Sequence, residues 1–213
     1  MTYAALTLRP SSRPSSSRRN GGASLIVVML ILVVVSILGV SGIQVAMMGE
    51  RGTRNDRDQQ VAWQSAEAAL IDAEFDIEGL PASSTNKRNT LFKSKETDIN
   101  QFIQDCGTSG QSVGLCNLNA TGKPAWLTVD FTATGVAAPT AQFGTFTGRT
   151  FPSGAKGIQP ARAPRYVIEP ILDPQFSRTA RPGSGSRYVY RVTAMGFGPN
   201  VETQAVVQMI YRN

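Results

Sequence analysis

The residue pair most open to covalent chemistry is Cys106 and Cys116, the two cysteines of a 213-residue chain that contains no histidine. Without histidine there is no Ser-His-Asp or Cys-His nucleophile and no imidazole ligand for zinc, and two thiols alone cannot build a zinc site. In a reducing compartment the two thiols stay free; in an oxidising one they bond to each other. Other groupings carry less. Glu50, Asp56 and Asp58 have the oxygens to bind calcium, but Arg51, Arg54 and Arg57 are interleaved with them, and ion pairing along a helix is the default. Glu67 and Glu74 read as a solvated helix face. Gly183-Ser184-Gly185 and Gly196-Phe197-Gly198 lack the strand and helix that would make a phosphate loop of them. Ser94-Lys95 is not a Ser-x-x-Lys arrangement. The sequence thus reads as non-catalytic, with no cofactor and no metal, and what the cysteines do depends on where the chain places them.

Placement is decided by the elements upstream. The formal charge of +6 is uneven, because Arg9, Arg13, Arg18 and Arg19 lie in residues 1–22 with no acid, leaving only +2 for the rest. The basic balance is therefore weak support for nucleic-acid binding. "RPSSRPSSSRRN" is too rich in Pro, Ser and Arg to pack and reads as a hydrophilic leader ending at Gly21-Gly22. From Ala23 to Met48 no residue is charged. As a helix that run is on the order of 39 Å long, against about 30 Å of bilayer hydrocarbon. A secretory h-region is shorter, about 7–15 residues, so a spanning helix is favoured over a discarded signal. Arg18 and Arg19 favour a cytoplasmic N-terminus, against the opposing Arg51, Arg54 and Arg57. The bulk would then stand outside the cytoplasm, where Cys106 and Cys116 would be bonded.

The helix has no reason to stop at Met48. Gly49 and Gly52 weaken it by about 1 kcal/mol each relative to alanine. No proline intervenes before Pro81. Trp63, Ala66, Leu70, Ala73 and Ile77 recur at spacings of three and four, predicting one apolar stripe, with Glu67, Asp72, Glu74 and Glu78 pointing elsewhere. Gly79-Leu80-Pro81 supplies the stop. Gly39 and Gly42, with Ser36 and Ser41, form a small-residue cluster that permits close helix contact.

These residues carry a resemblance. "GGASLIVVMLILVVVSILGVSGIQ" followed by "MMGERGTRNDRDQQVAWQSAEAALIDAE" resembles the class III signal of type IV pilins and pseudopilins, and in detail the N-terminal region of PilX-type minor pilins, over Gly21 to Glu74. The most distinctive part is "RDQQVAWQSAEAAL", Arg57 to Leu70. The resemblance implies cleavage by a prepilin peptidase after Gly22, with Gly21 as an alternative, and methylation of the new terminus Ala23. It implies partners among other minor pilins, the major pilin, a tip adhesin and the inner-membrane assembly platform. It also implies twitching motility and cell adhesion as the purpose. One position departs from the family: the glutamate usual five residues into the mature chain is Val27 here, and no acid stands from Ala23 to Gly49. Val27, Gly39 and Gly42 mark the expected assembly face. A type II secretion pseudopilin and an uncleaved single-pass periplasmic binding module are the rival readings.

Downstream, Cys106 and Cys116 enclose a polar loop, read as a staple rather than a binding site. "TDINQFIQDC" predicts a helix capped by Thr97, with Ile99, Phe102 and Ile103 inward. "AWLTVDF" and "RYVIEPIL" predict strands, and "RYVYRVTAMGFGPNVETQAVVQMIYR" a hairpin. Residues 132–164 contain no acid and carry Arg149, Lys156 and Arg162 among Phe143, Phe146 and Phe151. They read as a partner-binding loop, a plain loop, or, least favoured, a nucleic-acid surface. The expected fold is α+β: a leader over 1–22, an apolar half-helix over 23–48, an amphipathic half over 49–80, and a head over 81–213 with an antiparallel sheet of about four strands.

Overall fold

The structure is a computed structural model that describes residues 23–93, 97–119, 121–154, 157–179 and 186–212. The leader, with Gly21 and Gly22, lies outside the described residues. Helix α1 runs from Ala23 to Glu78, 56 residues, with no break at Gly49 or Gly52. It ends as its sequence dictates. Gly79 turns left-handed at φ +79°, and the N–H groups of Gly79 and Leu80 both donate to the Phe75 carbonyl at 2.8 Å. The chain forms two compact units, Met1–Arg51 and Gly52–Asn213, so the amphipathic part of α1 belongs to the second.

That second unit is a helix on a sheet. Strands β1 (Ala141–Gln142), β2 (Arg165–Leu172), β3 (Tyr188–Phe197) and β4 (Gln204–Tyr211) lie in the order β1-β2-β3-β4, antiparallel throughout. The inner face packs Tyr166, Ile168, Tyr190, Val192, Ala194 and Val207 against Ala66, Ala69, Ala73 and Ile77 of α1. The helix supplies alanines because the sheet backbone comes very close. A Cβ on Gly196 would collide with the Ala62 carbonyl oxygen and the Ala66 nitrogen. The outer face of β2 is covered too, by a second cluster in which Cys106, Cys116, Ala125 and Phe131 meet Val167. Two covered faces explain why Arg165 to Pro170 are all buried.

Several local expectations give way. "AWLTVDF" is not a strand. Ala125–Thr128 is the short helix α2, which leaves Leu127 55% exposed and buries Ala125 and Phe131. The fourth strand is instead the two-residue β1. "TDINQFIQDC" forms only a 3-10 turn over Ile99–Gln101, capped by the Asp98 side chain, which accepts from the Asn100 N–H at 3.2 Å; Thr97 is not the cap. Phe102 faces inward, but Ile99 and Ile103 are exposed. A third helix, α3, spans Pro174–Thr179.

Candidate assembly surface

From Leu25 to Met48 every large apolar side chain of α1 is at least 46% exposed. Among the described residues nothing covers them, which fits a lipid or another protein as their partner. Among the described residues this is the helix long and apolar enough to cross a membrane, a candidate single-pass anchor. Two of its polar side chains are closed internally: Ser36 Oγ donates to the Leu32 carbonyl at 2.7 Å and Ser41 Oγ to the Ile37 carbonyl at 2.9 Å. Val27 is 55% exposed. A Cβ on Gly39 or Gly42 would meet no atom within 4 Å, so no contact among the described residues requires glycine there. Ala23 opens α1.

The head-packing stripe is rotated from the one predicted. Ala66, Ala73 and Ile77 are buried, and Leu70 packs at the edge of the core. Trp63 is half exposed, its indole N–H donating to Glu67 Oε1 at 2.8 Å, and it does not face the sheet. The bulk of its ring would not fit where α1 meets the sheet through Ala62, Ala66 and Gly196. Asp72, expected outside, is fully buried. It accepts from the Gly144 N–H at 2.7 Å and the Thr147 hydroxyl at 2.6 Å, and pairs with Arg149 at 3.4 Å. Burial, the largest influence, raises its pKa above the ordinary value, against the lowering by Gly144, Thr147 and Arg149.

One turn further along, Asp76 pairs with Arg88 at 2.6 Å, both side chains wholly buried. The Tyr166 hydroxyl donates to Asp76 at 2.9 Å. Burial, then the Asp76 charge, pushes that phenol's pKa far up, so it stays a donor. Arg88 Nη1 donates to the carbonyls of Gln111, at 2.7 Å, and Val113, at 2.6 Å. Its guanidinium lies 3.5 Å from the centre of the Phe146 ring. The sequence reading missed this cluster. Its signal was two acids four residues apart inside a run of alanines, on a face that sheet packing would bury.

Cys106 and Cys116 are bonded, Cα to Cα 4.0 Å. Their loop runs along β2: the Cys116 N–H donates to the Ile168 carbonyl at 2.9 Å and the Ile168 N–H to the Gly114 carbonyl at 2.8 Å. The loop after α2 also turns inward. Phe143 and Phe146 are buried, and Phe143 meets Phe151 at 5.1 Å between ring centres. Arg149 lies 4.7 Å from the Phe75 ring and 4.9 Å from that of Phe143, and Arg162 5.9 Å from that of Phe197. These rings and cations are used within the fold rather than arrayed for stacked bases.

A free apolar half-helix and an amphipathic half seated on a four-stranded sheet can anchor and pack. Comparison with known families agrees. The family model described as PilX N-terminal matches residues 21–70, and that described as type IV pilus assembly protein PilX, C-terminal part, matches residues 112–213. Together they cover well over half of the chain.

The chain belongs to the PilX family of type IV pilus assembly proteins. PilX proteins are structural pilin subunits, a role that an exposed apolar half-helix suits. The first match includes the exposed apolar half of α1, and the second includes α2, the whole sheet and Cys116 of the disulfide. No curated protein and no solved structure matches the chain at a significant level.

Proposed function

We propose that this PilX-family minor pilin primes or caps a type IV pilus rather than repeating along its shaft. The chain inserts through residues 23–48 with its N-terminus in the cytoplasm and residues 81–213 in the periplasm, the amphipathic stretch 49–80 leading into the head. A prepilin peptidase cuts after Gly22, or Gly21, and the amine of Ala23 is methylated. The apolar half-helix then leaves the lipid and packs among the helices of other minor pilins and the major pilin, at the assembly platform.

The observation that carries the tip position is the composition of that half-helix. A methylated amine buried among apolar helices is a charge that costs several kcal/mol unless a carboxylate meets it. From Ala23 to Gly49 this chain offers none, and Val27 stands where the family's glutamate would be. A subunit that cannot neutralise a neighbour's amine is tolerated at an end, where one such contact is absent, and penalised at every step of a shaft. A tip position also supports display of a partner such as an adhesin, and through it adhesion and motility.

Two measurements test this. Intact mass after co-expression with a prepilin peptidase should show loss of residues 1–22 and gain of one methyl group; an unchanged N-terminus in functional protein defeats the reading. Immunolabelling should place the wild type at filament ends and Val27→Glu also along the shaft. Even labelling of the shaft by both would remove the tip argument.

A further inference from the structure

The buried charges of the head are matched, with one exception. Among the described residues each buried acid has its arginine: Asp72 with Arg149 at 3.4 Å, Asp76 with Arg88 at 2.6 Å, Glu169 with Arg191 at 2.9 Å and Asp173 with Arg212 at 3.1 Å. Arg165, the first residue of β2, is 6% exposed, and its guanidinium donates to neutral oxygens only. Nε donates to the Thr140 hydroxyl at 2.5 Å, Nη2 to the Thr140 carbonyl at 2.5 Å, and Nη1 to the Gln142 side-chain oxygen at 3.2 Å. A guanidinium has five N–H donors, so one stays unused on each terminal nitrogen. Burial lowers the Arg165 pKa, and no carboxylate among the described residues opposes it. A cation held out of water without a counter-charge is costly to a fold.

Arg165 lines a cleft of about 290 Å³ beside β1. The other polar residues lining it, Thr140, Gln142 and Thr145, bring donors and no acid. Their two hydroxyl hydrogens and the Gln142 side-chain N–H groups have no acceptor among the described residues. The whole stretch 132–164 is free of acid. Val113 and Val136 add apolar wall, and Val136, 99% exposed, marks the mouth. The cleft thus offers one uncompensated positive charge, surplus donors and an apolar lining. A carboxylate matches that charge, and its two oxygens can take the unused N–H of each terminal nitrogen. A phosphate brings more than one negative charge near neutral pH and has no apolar part to set against the valines.

We propose that the Arg165 cleft binds a carboxylate carried on a short aliphatic stem, either an acidic side chain of another protein or a free short-chain acid. Arg165 supplies the countercharge, Thr140, Gln142 and Thr145 the further donors, and the valines the seat for the stem. The cleft lies within the head, and the inference does not rest on where the subunit stands in a filament.

The test uses the full chain in detergent with isotope-labelled arginine, read by NMR at the Arg165 Nε–H; Arg165→Lys removes that signal and so assigns it. Propionate and the capped peptide acetyl-Gly-Glu-Gly-amide are titrated at constant ionic strength against chloride, with acetyl-Gly-Gln-Gly-amide and inorganic phosphate as controls. The Arg165 signal should shift and saturate with both carboxylates and stay in place with both controls. Saturation at a lower concentration of the peptide assigns the ligand to a protein side chain; saturation at a lower concentration of propionate assigns it to a free acid. Thr145→Glu places a tethered carboxylate in the cleft. It should weaken the propionate response several-fold and melt at a higher temperature than Thr145→Gln, a comparison that stands even where Arg165→Lys fails to fold. No saturable shift in the folded wild type overturns the proposal, as do equal shifts with the controls, or a Thr145→Glu that melts no higher than Thr145→Gln.

Discussion

Asp76 of α1 and Arg88 of the segment that follows it meet at 2.6 Å with no solvent at either side chain. Buried ion pairs contribute little net stability against apolar replacements, because both charges lose their water. Breaking one is another matter, since it strands the other charge. Arg88 also holds the disulfide loop through Gln111 and Val113, so the pair links helix, connecting segment and loop. Asp76→Ala or Arg88→Ala should each cost about 3–5 kcal/mol. Asp76→Leu with Arg88→Met should cost far less than the sum of the single changes. Urea unfolding of the detergent-solubilised chain reads all three; additive losses would contradict the account.

Asp72 provides a pH signature. Its pKa in the folded chain is above 3.8, with burial the leading cause. The folded state then holds that proton more tightly than the unfolded state. Its contribution to stability is fullest below 3.8 and is lost as pH rises through the raised folded value. Measured against Asp72→Asn, the wild type should lose relative stability as pH rises from below 3.8 through the raised folded value. A relative gain over that window would mean that Gly144, Thr147 and Arg149 outweigh burial.

Trp63 and Ile77 should part company. Trp63→Ala removes a half-exposed ring and one hydrogen bond to Glu67, and should shift stability by no more than about 1 kcal/mol. Ile77→Ala empties a fully packed position and should cost about 2–5 kcal/mol. Thermal melts of the two variants side by side would expose an error in the direction of the stripe if their order were reversed.

The disulfide closes a short loop across which β2 is bonded. Cys106→Ser with Cys116→Ser should cost roughly 3 kcal/mol in the chain-entropy model. Amide exchange should rise at Cys116 and Ile168, whose N–H groups tie the loop to β2. Unchanged protection at Ile168 would show that the bond is incidental to the outer face.

The long elements were legible because each carries its reason locally. The uncharged run, the absence of proline before Pro81 and Gly79 in the closing position specify α1. Alternation specifies β2, β3 and β4. The short elements were not. "AWLTVDF" alternates like a strand, but Pro124 precedes it and its apolar residues are needed singly, Ala125 and Phe131 inward against Val167. Asp72 has the same sequence appearance as the solvated Glu67, and only long-range packing against Gly144 and Thr147 tells them apart. The direction of the stripe failed for a related reason. Period alone favoured the bulky Trp63, while the sheet required the smallest residues, a demand set by Gly196 more than a hundred positions away.

That contact between Gly196 and the Ala62–Ala66 turn is main chain against main chain. A seat of this kind has no long side chains to flex and no rotamers to exchange, so it behaves as a stiff bearing. Slipping β3 along the helix by two residues, the shift that keeps its faces, would drive the Ala194 methyl group into the Ala62 carbonyl. Mechanical strain passing between helix and sheet would thus meet a hard stop rather than a cushion, and would be transmitted with little give.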